Sequence, residues 1–256
     1  MSALALVLVT VDAAAALGQD RTRMLKGTVL DSAEHKPVSQ AAVYIGRTTM
    51  GQRTGNDGTF RVSATVGPHA LIVRRPGYIP LLITIPADTV APETDLGSLS
   101  LHQVKTDADQ AAVQEADMRM YPELVQFYDR KAQYHQGLFL TPDDLQRVGG
   151  SLFALIRQKP NFHFICFVTR RGDVDCGQQL NRGPTSIMRG NPRSAEQERC
   201  LLVVWTNAIG PRRTLDEFQM DDVLAVEAYP SPGVTPPEFA GSPCASIMLW
   251  MKQTGS

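Results

Sequence analysis

Lys26-Gly27-Thr28-Val29-Leu30-Asp31, Ala42-Val43-Tyr44-Ile45, Thr54-Gly55-Asn56-Asp57-Gly58-Thr59-Phe60-Arg61-Val62 and Arg74-Arg75-Pro76-Gly77-Tyr78 follow one another within 80 residues. Apolar and polar residues alternate through this region, as they do in strands buried on one face. Phe60, Val62 and Ala64 share one face while Arg61 and Ser63 take the other. Leu71 with Val73, and Ile79 with Leu81, Ile83 and Ile85, repeat the pattern. Turn signals separate the runs at Asn56-Asp57-Gly58, Gly67-Pro68, Pro76-Gly77 and Pro86-Ala87-Asp88. Short strands at this spacing predict an antiparallel β-sandwich over residues 25–103. Asp57-Gly58 reads as a hairpin turn, because Gly accepts positive φ and Asp bonds its own backbone.

The order of these strands and turns resembles the carboxypeptidase regulatory-like domain, a transthyretin-like (Ig-like) sandwich. The Gly27-Thr28-Val29 opening, Lys36-Pro37-Val38, the Asp57-Gly58-Thr59-Phe60 turn and Gly77-Tyr78 after a basic strand end carry the resemblance. It implies a module without chemistry of its own, suited to adhesion, assembly or surface binding.

The chain has 256 residues, which is comfortable for two domains. Its 43% hydrophobic and 20% charged content fits ordinary globular folding. A formal net charge of −1 gives no reason to expect nucleic acid or an anionic membrane surface as partner. Ala3 to Val11 is a short apolar core followed by Ala13 to Gly18. It suits a signal peptide over residues 1–18, cleaved before Gln19, and falls short of the about 20 residues a spanning helix needs. A buried strand followed by an alanine-rich helical turn is the other reading. The chain has four cysteines, and an even count suits an oxidising compartment. Hairpin geometry around Arg170-Arg171-Gly172 sets Cys166 opposite Cys176, which leaves Cys200 to pair with Cys244. Metal binding competes with this, but no Cys-x-x-Cys spacing occurs.

Residues 106–136 read as a helical connector. Val113, Met120, Leu124, Phe127 and Tyr128 recur near helical spacing, and Asp109, Glu115, Asp117, Arg119, Asp129, Arg130 and Lys131 fill the remaining faces. Pro122 divides it and Gly137 stops it. Thr141-Pro142-Asp143-Asp144 reads as an N-cap, a first-position Pro and acidic first-turn residues. A short helix over Leu152 to Ile156 follows. Strands are expected at Cys200 to Trp205, Val223 to Tyr229 and Ala245 to Lys252, with a helical turn near Leu215 to Phe218.

That order over residues 139–252 resembles the plug domain of TonB-dependent outer-membrane receptors. Pro160-Asn161-Phe162, Met188-Arg189-Gly190, Asp222 to Tyr229 and Pro237 to Gly241 leading into Cys244 to Trp250 carry it. The resemblance implies a small α+β plug-like domain, so the chain as a whole reads as α+β with two domains. A receptor barrel would need about 220 further residues. The expectation is therefore a barrel-less protein, periplasmic or outer-membrane-associated.

Candidate chemistry is sparse. His35, His69, His102, His135 and His163 show no metal-ligand spacing. No phosphate loop, dinucleotide fingerprint or Gly-x-Ser-x-Gly occurs, so no cofactor, metal or catalytic residue is expected. Arg171-Gly172-Asp173 is an integrin-type tripeptide at a predicted hairpin tip, made of ordinary turn residues. Arg189, Arg193, Arg199, Arg212 and Arg213 could meet an anionic partner or simply cover a loop surface. The reading is of a non-enzymatic exported binding protein of the bacterial envelope, with an envelope protein or glycan as partner. A barrel-less or separately encoded receptor plug is the alternative, and a peptidase-associated protein a further one.

Overall fold

The computed structural model of the protein describes residues 22–46, 51–65, 67–86, 92–147, 151–159, 162, 164–168, 174–179, 199–201, 203–207, 218–239 and 245–252. The signal-peptide reading, Cys244, the Arg171-Gly172-Asp173 tripeptide, Met188 to Gly190, Asn161 and the Leu215 to Glu217 turn lie outside these residues.

Two sheets build the N-terminal region. Strands β1 (Thr22–Asp31), β4 (Thr59–Thr65) and β7 (Glu93–Leu101) form one, in the order β4-β1-β7. Strands β2 (Ala42–Ile45), β3 (Gly51–Arg53), β5 (His69–Arg74) and β6 (Leu81–Ile85) form the other, in the order β3-β2-β5-β6. Leu25, Val29, Phe60, Ala64, Leu99 and Leu101 of the first meet Val43, Ile45, Leu71, Val73 and Ile85 of the second in one buried core. The alternation therefore marks a sandwich-like pair of sheets, as expected. The sandwich is not wholly antiparallel, because β1 and β7 pair in parallel. Parallel neighbours require a long connection, and almost the whole region separates these two strands.

The Asp57-Gly58 turn is not a hairpin. It carries the chain from β3 in one sheet to β4 in the other. Asp57 Oδ1 accepts from the Thr59 amide at 3.1 Å and the Thr59 hydroxyl at 2.8 Å, while Gly58 takes φ +74°. A Cβ at Gly58 would lie 2.5 Å from the Val29 carbonyl oxygen, so the glycine serves this close approach to β1 as well as the turn. Gly27 plays a related part: it faces Phe60 across the β1–β4 ladder, and a Cβ there would crowd the Phe60 ring at 3.0 Å.

Helices α1 (Asp107–Met120) and α2 (Leu124–Gln133) form the connector, divided at Pro122 as expected. Thr106 and Asp109 close a capping box on α1. Beyond them come β8 (Leu138–Leu140), α3 (Pro142–Arg147), α4 (Leu152–Arg157), β9 (Phe164–Val168), β10 (Val174–Gln179), β11 (Arg199–Leu201), β12 (Val203–Thr206), β13 (Val223–Tyr229) and β14 (Ser246–Met251). Thr141 caps α3 reciprocally with Asp144, whose Oδ2 accepts from the Thr141 amide at 3.0 Å and hydroxyl at 2.7 Å. The strand expected over Cys200 to Trp205 is split. Its first part, β11, joins β10 and β9, and its second, β12, joins the sheet β12-β14-β13-β8.

That last sheet is buried on both faces. Leu140, Val226, Ala228, Ile247 and Leu249 face Leu145, Leu152, Leu155 and Ile156 from α3 and α4. Ala225, Tyr229, Met248 and Trp250 face the connector, in a core that also takes Leu124, Phe127 and Tyr128 from α2 and Ile72 from β5. A register shift between Val223 and Ala225 turns both Leu224 and Ala225 to this side. The boundary expected near residues 103–106 is thus bridged by shared packing. The connector's apolar stripe is a packing surface, and Asp117 and Arg130, read as surface residues, are buried beside it. Among the described residues no helix is long and apolar enough to cross a membrane.

The turn after β1, the β5–β6 connection and the segment after β7 meet at Asp31. Its carboxylate accepts from the amides of Ala33 and Glu34 at 2.8 and 2.9 Å, from Gln103 Nε2 at 2.5 Å and from the Tyr78 hydroxyl at 3.1 Å. The Glu34 amide is the largest influence and lowers the Asp31 pKa; burial opposes it, and the other donors help bring it from 3.8 to about 2. A carboxylate held low in the folded state adds stability above its unfolded value and loses it as pH falls to the folded one. Urea midpoints measured from neutral pH downward are expected to fall through the 3.8 to about 2 window in the native chain. Asp31→Asn is expected to lower the neutral midpoint and flatten that fall. Parallel curves for the two proteins would remove Asp31 from this role.

Candidate functional site

Tyr44 and Arg53 stand on the outer side of the β3-β2-β5-β6 sheet. Across its ladder Gly51, Tyr44, Ile72 and Leu82 align in one row, and Arg53, Ala42 and Arg74 in the next. Gly51 leaves the room that the Tyr44 ring occupies, since a Cβ there would lie 2.5 Å from it. Where this sheet approaches α3 and the ends of β13 and β14, a cleft of about 360 Å³ remains. Tyr44, Arg53, Tyr121, Gln146, Asp221 and Lys252 are among its walls. Its volume falls in the range of about 300–1,000 Å³ that small-molecule sites occupy.

The polar groups of the cleft are tied to one another. Gln146 Nε2 donates to the Tyr44 hydroxyl at 3.3 Å, and Lys252 Nζ lies 5.5 Å from the Tyr44 ring centre. Burial pushes the Lys252 ammonium below its usual 10.5; Asp221 and Asp222 pull it back and Arg74 pushes it down again. Burial pushes the Tyr44 phenol up. Asp221 and Asp222, expected in a turn before a strand, lie in a 3₁₀ turn over Met220–Asp222 that leads into β13.

Behind the cleft, Arg74 at the end of β5 is buried. Its Nη1 donates to Asp143 Oδ1 of α3 at 2.6 Å, its Nη2 donates to Asp117 Oδ1 of α1, and the Tyr128 hydroxyl of α2 donates to Asp117 Oδ2 at 2.5 Å. Four elements therefore converge on one guanidinium. Burial works against the Arg74 charge, and Asp117 and Asp143 more than reverse that, so its pKa rises. Burial raises the Asp143 pKa, against the pull of Arg74. Burial raises the Tyr128 phenol too, with the Asp117 charge adding to it.

A second buried pair lies across the same core. Arg130 Nε and Nη2 grip Glu227 Oε2 and Oε1 at 2.8 and 3.0 Å. Glu227 also accepts from the Tyr229 hydroxyl at 2.8 Å and Trp250 Nε1 at 2.7 Å, which satisfies a carboxylate with no solvent exposure. The Arg130 guanidinium sits 4.9 Å from the Phe239 ring centre and 5.2 Å from that of Trp250. Burial lifts the Glu227 pKa against Arg130 and its hydrogen bonds.

Of the residues expected from sequence, Cys166 and Cys176 are register partners in the β9–β10 ladder, and Cys200 is the register partner of Gln178 in β11–β10. Arg199 opens β11, while Arg189, Arg193, Arg212 and Arg213 lie outside the described residues. His163 lies outside the described residues; among these, His69 contacts Thr65, His102 contacts Ser32, and no metal-holding cluster forms. Sequence reading missed Arg74, Asp117, Asp143, Arg130, Glu227 and Lys252 as a set. Glu227 had left a signal, as the one acid inside the apolar run Val223 to Tyr229.

Comparison with known families places the sandwich. Residues 25–104 match the CarboxypepD_reg-like domain. This module thus supplies Tyr44, Arg53 and Arg74, while the other cleft residues come from the chain beyond it. No curated protein matches the chain. Similar solved structures include 3-chlorocatechol 1,2-dioxygenase from Rhodococcus opacus 1CP, at 15% identity and TM-score 0.27 over 34% of this chain and 62% of that one. The pilus 2b backbone protein of group B streptococcus shows 11% identity and TM-score 0.27 over 32% and 41%. Hydroxyquinol 1,2-dioxygenase from Pseudomonas putida DLL-E4 shows 15% and 0.27 over 34% and 58%. The chain spans less than two thirds of each of these structures.

Removing one partner of a buried ion pair strands the other and costs about 3–5 kcal/mol. Arg74→Met is expected to lower unfolding free energy by an amount in that range, leaving Asp117 and Asp143 as uncompensated buried acids. Adding Asp117→Asn and Asp143→Asn to Arg74→Met is expected to restore part of the loss. Denaturant titration of the single and triple variants measures both. A fully additive triple variant would show that Arg74 is not coupled to the two carboxylates.

Proposed function

We propose that this chain is a non-enzymatic binding protein of the bacterial cell envelope, and that the cleft between the regulatory-like sandwich and the C-terminal sheet is its ligand site. The observation that carries the reading is the cleft itself: a polar, aromatic-walled hollow whose back wall is stiffened by the buried Arg74 group. A preorganised hollow binds without first ordering its walls. Export rests on the Ala3 to Gly18 pattern and on the cysteines. The β9–β10 register supports a Cys166–Cys176 disulfide, and Cys200–Cys244 is its proposed companion. The partner is an envelope protein or glycan meeting Arg53, Asp221 and Lys252 in the cleft.

A second reading keeps residues 139–252 as a plug-like unit, the separately encoded plug of a receptor. The succession α3, α4, β12, β13 and β14 supports it, since it follows the order on which that resemblance was built.

Isolated envelope proteins and glycans, immobilised separately, test the main reading. The purified chain is expected to be retained by at least one of them, and Arg53→Ala, an exposed cleft residue, is expected to weaken that retention several-fold. Equal retention of native and Arg53→Ala protein would move the site elsewhere. Intact mass of exported protein is expected to show loss of residues 1–18 and, on reduction, a gain of two hydrogens per disulfide.

A further inference from the structure

The two sides of the cleft differ in charge. On the sandwich side stands Arg53, which is exposed; among the described residues it pairs with no acid, and its Nη1 donates to the Gln40 carbonyl at 3.3 Å. On the side of the last sheet stand Asp221 and Asp222 with Lys252, whose amide donates to the Asp222 carbonyl at 2.7 Å. Neither carboxylate accepts a bond among the described residues, and two acids against one ammonium leave this side negative. Arg74 also lines the cleft, but Asp117 and Asp143 engage it. Both sides act on the Tyr44 phenol: Arg53 favours its ionised form and Asp221 opposes it. The Tyr44 hydroxyl accepts from Gln146 Nε2 at 3.3 Å, and Gln146 Oε1 is buried with no donor among the described residues. A smaller hollow of about 240 Å³ lacks this arrangement. Lys131 and Arg147 line it without an ion pair among the described residues, but its acids are taken, Asp143 by Arg74 and Asp144 by Thr141.

We propose that the cleft takes a small zwitterion of the amino-acid type, with its carboxylate on the Arg53 guanidinium and its ammonium on Asp221, leaving Lys252 to balance Asp222. A guanidinium offers a planar fork that meets a carboxylate with two parallel bonds. An ammonium brings three donors and no acceptor, which suits a hollow that holds an unpaired carboxylate and the unmet Gln146 Oε1. A plain anion would use Arg53 but face Asp221 and Asp222. A plain cation would use Asp221 but face Arg53 and Lys252. Each leaves a charge of the cleft unpaired, and that discriminates against it. A ligand with both charges leaves neither side empty. Arg53 belongs to β3 and Asp221 to the turn before β13, so such a ligand spans the contact between the sandwich and the last sheet. The inference rests on the cleft being the ligand site and names the group that enters it.

The unbranched amino acids from glycine to 6-aminohexanoate, which differ only in the spacing of amine and carboxylate, test this by calorimetric titration of the full chain at neutral pH and low salt. One spacing is expected to bind best. The alkanoate and the alkylamine of equal length, each lacking one charge, are expected to bind about tenfold more weakly or worse, the size of one charge-assisted bond. Arg53→Gln is expected to reduce the best zwitterion to the affinity of the alkylamine, and Asp221→Asn to that of the alkanoate. Both positions are exposed, and urea midpoints equal to that of the native chain confirm that the variants fold. Elution of the retained chain from its envelope component by the same zwitterion assigns the group to that partner; binding without elution assigns it to a free solute. No binding of any spacing at millimolar concentration overturns the proposal, as does an alkanoate or alkylamine that binds as well as the zwitterion. If no zwitterion binds while Arg53→Ala still weakens retention by the envelope component, this inference falls and the cleft remains the binding site. If Arg53→Ala leaves retention intact yet Arg53→Gln and Asp221→Asn lose the zwitterion, the envelope reading of the cleft falls and this inference stands. A zwitterion bound equally by the native chain and both variants sits elsewhere, and the proposal falls.

Discussion

The guanidinium of Arg74 is the buried charge at which the sandwich meets the elements that follow it. Its two carboxylate partners come from α1 and α3, and Tyr128 of α2 braces one of them. Burying three charges is costly, and their mutual attraction repays the cost only when the geometry is complete. Apolar packing between Ile72 and the connector would tolerate sliding by a residue; the Arg74 group would not, because any slip strands a buried charge. Its contribution is therefore better described as registration than as stabilisation. The cleft depends on that registration, since its walls come from residues as far apart as Tyr44 and Lys252.

Arg130 and Glu227 solve a different problem in the same core. The sheet β12-β14-β13-β8 is covered by α3 and α4 on one face and by the connector on the other. A strand buried on both faces is ordinarily apolar throughout, and β13 is so except at Glu227. The exception is accommodated because Arg130 Nε and Nη2, the Tyr229 hydroxyl and Trp250 Nε1 all donate to its carboxylate, and because two aromatic rings flank the arginine that neutralises it. Two buried ion pairs thus tie α1 to the sandwich through Arg74 and α2 to the last sheet through Glu227.

Much of this was legible in the residues. Alternation located the sandwich strands, Pro122 divided the connector, and Thr141-Pro142-Asp143-Asp144 marked the start of α3. These features depend on local rules of burial, backbone geometry and capping. What escaped depended on the second face of an element. Asp117 and Arg130 occupy positions that a lone amphipathic helix would give to solvent, and only the arrival of β5 and β13 buries them. Asp57-Gly58 has hairpin chemistry, yet the strands it joins belong to different sheets, and the crowding at Val29 that demands the glycine is long-range. The strand over Cys200 to Trp205 divides for the same reason: two sheets compete for one apolar run, and its composition cannot say where one releases it to the other.

The cleft shows how such long-range coincidence creates a polar hollow that no short motif records. Lys252 closes an apolar strand, a place where lysine ordinarily extends into water. Here the outer face of the sandwich sheet, with Gly51 making space for the Tyr44 ring, lies across its path and takes part of that water away. Burial lowers the lysine's pKa, Asp221 and Asp222 oppose that, and Arg74, itself engaged by Asp117 and Asp143, adds a smaller push downward. A ligand seated between the sandwich and the last sheet would favour the assembled state over any state in which they part, so binding and registration are thermodynamically linked. A change at Arg74 that lets the sandwich shift should therefore reshape the cleft itself, because its walls come from both sides of that contact.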